Sequence, residues 1–405
     1  MTDSIPVAGG SGGGASRRLR FLMLNWRDPE NPLAGGAERV SLAFLRGLVG
    51  RGHEVDWFSF AFPGGAPEGV LDGIRLHRAG GVGTSIFEAI RWYRRQARFD
   101  LVIDQHHGLP WFAPWWCRTN CVGYLHEVLG PIWGSFYRWP IKQVGPWQER
   151  WGQWMYRNTP FWVPSQSTRR ALMRHGVKRV SVFDNGVDME PLLELPLKQP
   201  GEPLRLIVVS RLAPNKRVDH AIRCVDELRR QGRASELTIV GGGAEAGKLR
   251  ALVEQLGLGE AVRFLGYLPE GGKREWLCRS DMLLHPSVRE GWGLNVIEAN
   301  AMGTPAVVYP VDGLVDSTVH EGTGWVCAGE EPAELARGVV WLGAGGERYG
   351  RVREAAWRWS KRFGWGRVIP PVCGFLEELA GRENGLTLGG LGNRERALFS
   401  NSNGG

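Results

Sequence analysis

A chain of 405 residues is longer than one hydrophobic core usually organises, so two α/β domains are the expected arrangement. With 43% hydrophobic and 23% charged residues it has the balance of a soluble globular protein, and no apolar run approaches the ~20 residues that span a bilayer. The net charge of +8 calls for anionic partners, either phosphorylated small molecules or a membrane surface. Nucleic acid ranks last and is not expected, because no run interleaves basic and aromatic residues as RNA and DNA modules do.

The Gly/Ser-rich start, MTDSIPVAGGSGGGAS, lacks the apolar centre of a signal peptide. Residues 1–17 read as a disordered tail, and the expected location is cytoplasmic, with peripheral contact to the membrane face left open. The strand-like run Leu19–Trp26 leads into NPLAGGAER, Asn31–Arg39, in which Gly35 and Gly36 precede a helix starting near Ala37. A Gly-Gly pair alone fits a plain turn as well as a ligand loop. Glu54–Phe60, Asp100–Asp104 and Val122–His126 read as further strands.

Between them, Ser85–Arg98 has an apolar stripe (Ile86, Ile90, Tyr93, Ala97) and arginines largely elsewhere, which fits either a solvated basic face or contact with anionic lipid. Cys117 and Cys121 lie near His106 and His107, but the spacing matches no common zinc pattern, and all six cysteines read as reduced thiols. Asp100 and Asp104 sit in or at the ends of a strand, so no Asp-x-Asp metal pair is read. His126 ends its strand, where a histidine is more often a local hydrogen-bonding group than a catalyst. The region Trp111–Trp162 is rich in tryptophan, including Trp133, Trp139, Trp147, Trp151 and Trp154. Core packing accounts for some of these; an exposed subset would suit sugar stacking or a lipid-linked acceptor.

The polar, proline-rich stretch 195–203 reads as a linker. It divides a first domain, 18–196, from a second, 203–362. A new strand series then begins: Leu204–Ser210, Glu236–Val240, Val262–Gly266, Asp281–His285 and Pro305–Tyr309. Strands alternating with helical periodicity imply parallel sheets covered by helices, which bind ligands at the carboxyl ends of their strands. Residues 363–383 are expected to form a helix returning to the first domain, and 384–405 a second disordered tail.

The motifs of this half follow strands. In SRLAPNKRVDH, Arg211 and Lys216 flank a turn and offer two cations to a diphosphate; a solvated loop is the plain alternative. VGGGAEAGKL resembles half a P-loop, but Leu249 stands where a Walker motif needs Ser or Thr. HPSVREGWGLNVIEANAMGTPAVV, His285–Val308, is a strand end, a glycine-broken loop and a helix starting near Leu294 or Asn295. Gly291 and Gly293 let the backbone approach a ligand, and the helix start offers free amides to a phosphate. Glu290 and Glu298 can reach different hydroxyls of one extended ligand, unless Asn295-x-x-Glu298 is a capping box.

This segment resembles the Glu-x7-Glu signature of family 4 glycosyltransferases, with Glu290 and Glu298 in the two positions. The resemblance covers roughly residues 18–380. It implies the GT-B fold, two Rossmann-like domains facing across a cleft, the first for acceptor and the second for nucleotide sugar. It further implies a retaining transfer of a hexose from a UDP- or GDP-linked sugar to a hydroxyl acceptor, in glycan, polysaccharide or glycolipid synthesis. The acceptor would then be a glycan or a lipid-linked molecule.

By the same resemblance, Glu290 faces the donor sugar and Glu298 the ribose, and Trp292, Leu294, Asn295 and Val296 line the nucleotide sugar. Arg211 and Lys216 match the family's diphosphate element, with Ser210 and Arg217 in place of two glycines. Gly35 and Gly36 match its N-terminal glycine loop. His126 matches a histidine near the reacting carbon, Asn185 the P-N-G-V-D turn at the cleft mouth with Asp184 in place of proline, and Gly242 and Gly243 a donor-facing glycine turn. No cofactor and no divalent ion are expected. A sugar-nucleotide epimerase or a non-catalytic nucleotide-binding module would share the architecture without needing Glu290.

Overall fold

The computed structural model describes residues 17–130 and 132–382; the expected tails, apart from Arg17, lie outside the described residues. The first sheet has eight strands: β1 (Arg20–Leu24), β2 (Glu54–Ser59), β3 (Glu68–Leu71), β4 (Ile74–Arg78), β5 (Leu101–His106), β6 (Asn120–Leu125), β7 (Phe161–Val163) and β8 (Val180–Val182). Their order is β3-β4-β2-β1-β5-β6-β7-β8, and only the β3–β4 pair is antiparallel. The second sheet has six: β9 (Leu204–Val209), β10 (Ser235–Val240), β11 (Val262–Gly266), β12 (Met282–His285), β13 (Ala306–Val308) and β14 (Gly324–Val326). It is parallel throughout in the order β11-β10-β9-β12-β13-β14.

Both sheets reverse their winding beside their first strand, at β1/β5 and at β9/β12. In open α/β sheets such a switch point opens a crevice at the carboxyl ends of the strands. The loops after β9 and β12 carry Arg211, Lys216 and Glu290, and the loop after β1 carries Gly35.

Burial explains the strands. All six residues of β5, LVIDQH, are buried, as a strand covered on both faces requires. Its one carboxylate, Asp104, accepts the N–H groups of Trp111 (3.0 Å) and Ala113 (2.9 Å) and the Tyr156 hydroxyl (2.5 Å), so it staples the following loop.

The helix Trp365–Gly381 closes the chain over the first sheet. Val368, Val372, Cys373 and Leu376 join the core beneath the helix Gly36–Gly50, and burying Leu376 fully stabilises by about 1.5–3 kcal/mol. A Cβ on Gly47 would stand 2.3 Å from Ile369, so this glycine sets how closely the two helices approach. Among the described residues no helix is long and apolar enough to cross a membrane.

Candidate functional site

The second-domain wall is built from the loops after β9, β10 and β12. Lys216, at the end of a one-turn helix (Pro214–Lys216), pairs with Glu290. His285, the last residue of β12, stands 3.8 Å from the same carboxylate and 3.3 Å from the Ser287 hydroxyl. Burial alone would raise the Glu290 pKa. The charge of Lys216, followed by His285 and hydrogen bonds from Lys216 and Ser287, outweighs it and holds the carboxyl below its ordinary value. Burial pushes His285 down to about 4, so this imidazole is neutral near pH 7.

The helix Leu294–Ala301 begins where Gly293 turns the chain through φ 94°. A side chain there would meet Ser317 and Leu314 at 2.8 and 3.0 Å, so only glycine fits. The first free amides of this helix are those of Leu294 and Asn295, because the Val296 N–H is already donated to the Gly293 carbonyl (2.9 Å). The Asn295 side chain donates to the Val209 carbonyl (2.6 Å) and ties the helix to the end of β9. The alternative of a capping box is therefore not realised: the N-cap is Gly293 and makes no side-chain bond.

Glu298 is buried and lies 3.0 Å from Lys273, which also pairs with Glu270 at 2.8 Å. Burial raises its pKa despite Lys273, the opposite of Glu290.

The first-domain wall comes from the loops after β1, β5 and β6. Gly35 N–H donates to the Glu38 carboxylate (2.7 Å), fixing the glycine loop on the first turn of its helix. His126 follows β6, and its Nε2 is buried without a partner. Burial, then the neighbouring His107, lowers its pKa to about 3, so it too is neutral. Glu127 comes next, and one of its carboxylate oxygens is likewise buried without a partner. Burial, then the charge of Glu290, pushes Glu127 up to about 7, against Lys216 and Arg289. Glu149 shapes this loop from below by accepting the N–H groups of Leu129 (2.7 Å) and Gly130 (3.0 Å).

The two walls touch. A Cβ on Gly291 would lie 2.6 Å from the His126 carbonyl oxygen, and one on Gly36 would lie 3.2 Å from Leu294. Ser167 of the first domain bonds to Asp316 of the second and receives the Gly313 N–H (2.9 Å). The expected residues Glu290, Lys216, His126, Gly36, Gly291, Gly293, Leu294 and Asn295 thus meet at one junction. Arg211 is exposed on the same loop as Lys216, close enough to His107 to influence its charge.

Others depart from expectation. Trp292 and Val296 were expected to bind substrate, but both side chains are buried: Trp292 packs on Phe363 (ring centroids 5.3 Å), and Val296 belongs to the second-domain core. Gly291 was expected to let a ligand approach; the space beside it belongs to the His126 backbone. A Cβ on Gly243 (φ 154°) would stand 2.4 Å from the Leu212 carbonyl, so this glycine supports the Arg211 loop, whereas Gly242 faces open space. Asn185 is buried with its Oδ1 unpartnered, beside Gly186, which packs on the Trp365 ring; Val187 of the same turn packs with Trp292, so this turn adjoins the junction. The stripe of Ser85–Arg98, which fitted either a solvated basic face or lipid contact, is used internally in part: Ile86 and Tyr93 pack against the first-domain core. Cys117 and Cys121 face each other (2.7 Å), but His106 packs on Tyr156 and Phe161, and no cluster of three metal-type ligands occurs among the described residues.

Sequence reading missed Glu127, Lys273 and the Ser167–Asp316 contact. Glu127 had a signal, a carboxylate one residue past the strand end at His126. Lys273 had none, because GGKREW reads as a solvated helix.

Comparison with known proteins bears on this junction. Residues 195–359 match the family model for glycosyl transferases group 1, and residues 34–191 match that for glycosyltransferase family 4. The chain is 30% identical over 203 residues to D-inositol 3-phosphate glycosyltransferase 2 of Catenulispora acidiphila, covering 46% of this chain and 48% of that protein. The chain thus spans about half the length of the curated relatives it matches.

Among solved structures, sucrose-phosphate synthase from Thermosynechococcus elongatus superposes with a TM-score of 0.72 at 18% identity, over 89% of this chain and 99% of that one. HepE from Anabaena, solved with UDP and glucose, gives 0.66 at 18% identity, over 89% and 100%. At these identities the likeness is one of fold, and that fold is GT-B.

Proposed function

Given that the chain belongs to the family 4 glycosyltransferases, we propose that it transfers a hexose, with retention, from a UDP- or GDP-linked sugar to a hydroxyl acceptor in glycan, polysaccharide or glycolipid synthesis. The observation that carries this reading is the Glu290–Lys216 pair beneath the free amides of Leu294 and Asn295, facing His126 across the junction.

Departure of a nucleoside diphosphate builds negative charge on its phosphates while the sugar becomes oxocarbenium-like. Arg211, Lys216 and the two amides stand where fixed positive charge would stabilise that leaving group. Lys216 has three donor hydrogens, so it can keep Glu290 and still reach a phosphate. Glu290, held ionised, accepts hydrogen bonds from sugar hydroxyls, and neutral His126 offers an imidazole nitrogen near the transferred carbon. Glu298, steadied by Lys273, accepts the ribose hydroxyls. The acceptor hydroxyl attacks from the leaving-group face, its proton passing to a donor phosphate oxygen, and no divalent ion takes part. The complex of HepE with UDP and glucose supports a uridine donor as the first to test.

The test is acceptor-dependent release of UDP or GDP from a panel of nucleotide hexoses, with and without chelator, and the anomer of the product read by NMR. Release that needs acceptor, survives chelation and gives the donor's anomeric configuration is expected. A donor analogue bound away from Gly293, with that pocket empty, overturns the reading.

A further inference from the structure

The helix Ile141–Met155 is turned inside out. Its inward residues are Gly145, Glu149, Gly152 and Gln153. A Cβ on Gly145 would stand 2.3 Å from the Trp133 ring, so glycine is what lets the helix seat against the domain. Its outward residues are Ile141, Val144, Trp147, Trp151 and Trp154, each 45–68% exposed. Spacings of three and four residues place these five on one side of the helix. A surface helix normally buries such a stripe. Just before it, Trp139 is 79% exposed, and Phe136 and Tyr137 about half exposed. A patch of this size on a water-soluble domain marks an interaction surface.

Charge identifies the partner. Residues 132–180 contain nine Lys and Arg and one carboxylate, Glu149, an excess of eight that equals the net charge of the whole chain. Glu149 is buried and held by backbone amides. Among the described residues none of the nine cations forms an ion pair with a carboxylate. Arg150 and Arg174 share a hollow of about 350 Å³ with Trp147, Trp151 and Trp154, and Arg157 lies 4.4 Å over the Trp154 ring.

We propose that this face docks on an anionic lipid bilayer. Tryptophan rings with an apolar body and an N–H tip suit the headgroup boundary, and unpaired Lys and Arg suit the lipid phosphates. A second copy of the chain would bring the same positive excess against itself. The described chain ends at Arg382, whose carbonyl is held by Asn120 at the opening of β6, the far end of the sheet from His126. The segment Ile132–Phe136 joins the first-domain wall to the patch and packs against Pro214–Lys216, so the docked face adjoins the reaction junction. An acceptor carried in the bilayer would enter there.

The test is flotation of the full chain with phosphatidylcholine vesicles and with vesicles containing 30% phosphatidylglycerol, at low and high salt. Two variants accompany it: Trp147→Gln/Trp151→Gln/Trp154→Gln and Arg150→Gln/Arg174→Gln. The wild type is expected to float with the anionic vesicles and to be released by salt. The triple variant is expected to lose at least tenfold in bound fraction with unchanged melting and nucleotide affinity, since all three rings are exposed. The double arginine variant is expected to fall between. Absence of flotation, or equal flotation of wild type and triple variant, overturns the proposal. So does a salt-resistant dimer abolished by the triple variant, or a wild type that floats only once residues 383–405 are removed.

Discussion

Glu290 on one wall of the junction and Glu127 on the other are treated in opposite ways. On the second-domain wall Glu290 has Lys216 and His285 beside it and is held ionised; even buried Glu298 has Lys273 at 3.0 Å. On the first-domain wall Glu127 has an oxygen with no partner, and the like charge of Glu290 adds to the effect of burial. His126, next to it, has an unpartnered nitrogen as well. Glu290 has its counter-charge in place without substrate, as preorganised charge stabilisation requires. Glu127 and His126 hold polar atoms whose desolvation is uncompensated until something fills the cleft.

Removing the charge of Glu290 breaks this contrast most severely. Glu290→Gln is expected to lower turnover by about 100- to 1,000-fold, the scale seen when one preorganised group is lost from a transition-state site. Nucleotide affinity, measured by calorimetry, is expected to stay within a few-fold. Full turnover would remove Glu290 from the proposed chemistry.

Lys273→Met leaves Glu298 buried and unpaired, which costs about 3 kcal/mol. A melting temperature well below wild type at pH 8, partly regained toward pH 5 as Glu298 protonates, is the expected result. A flat pH response would mean that Glu298 escapes to solvent.

Gly291→Ala drives a Cβ into the His126 carbonyl and pries the walls apart. Such overpacking costs about 1–3 kcal/mol. Since the strain falls on contact between domains, we expect turnover to drop about tenfold while nucleotide affinity holds, with a larger radius of gyration in solution.

Glu127→Gln gives the smallest effect and the sharpest sign. The folded pKa of Glu127, about 7, lies above its ordinary value of 4.5. The native state therefore binds more protons than the unfolded chain between those values. The stability this confers is present below pH 4.5 and lost as pH rises through 7. The variant is expected to match wild type at pH 5 and to melt a few degrees higher at pH 8. Parallel melting curves across that range would place Glu127 in solvent.

Much of this was legible in the chain, and the reasons are local. β5, β9, β10 and β12 announce themselves as apolar runs, and Glu290, Gly293 and the helix at Leu294 follow from one unbroken segment. Three-residue strands such as β7, β8 and β14 are too short to show a period. The hairpin of β3 and β4 did carry a signal, Asp72-Gly73, both at positive φ as a two-residue turn demands, but its strands lie at the sheet edge with alternating exposure and no apolar run. Family resemblance alone puts Trp292 at the nucleotide sugar; its burial depends on Phe363, which meets it only when the C-terminal crossing folds back.

The sequence alone determined what recurs at short spacing: two open α/β sheets, a glycine-broken helix start, and the residue types gathered after each strand. Backbone hydrogen bonding and hydrophobic period act over a few residues, so they can be read in order along the chain. Tertiary structure alone decided which groups became partners. Lys216 meets Glu290, and Ser167 meets Asp316, across 74 and 149 residues. Those distances close only when two sheets and a returning helix pack. The same packing decided which tryptophans the domain buried and which it left facing out.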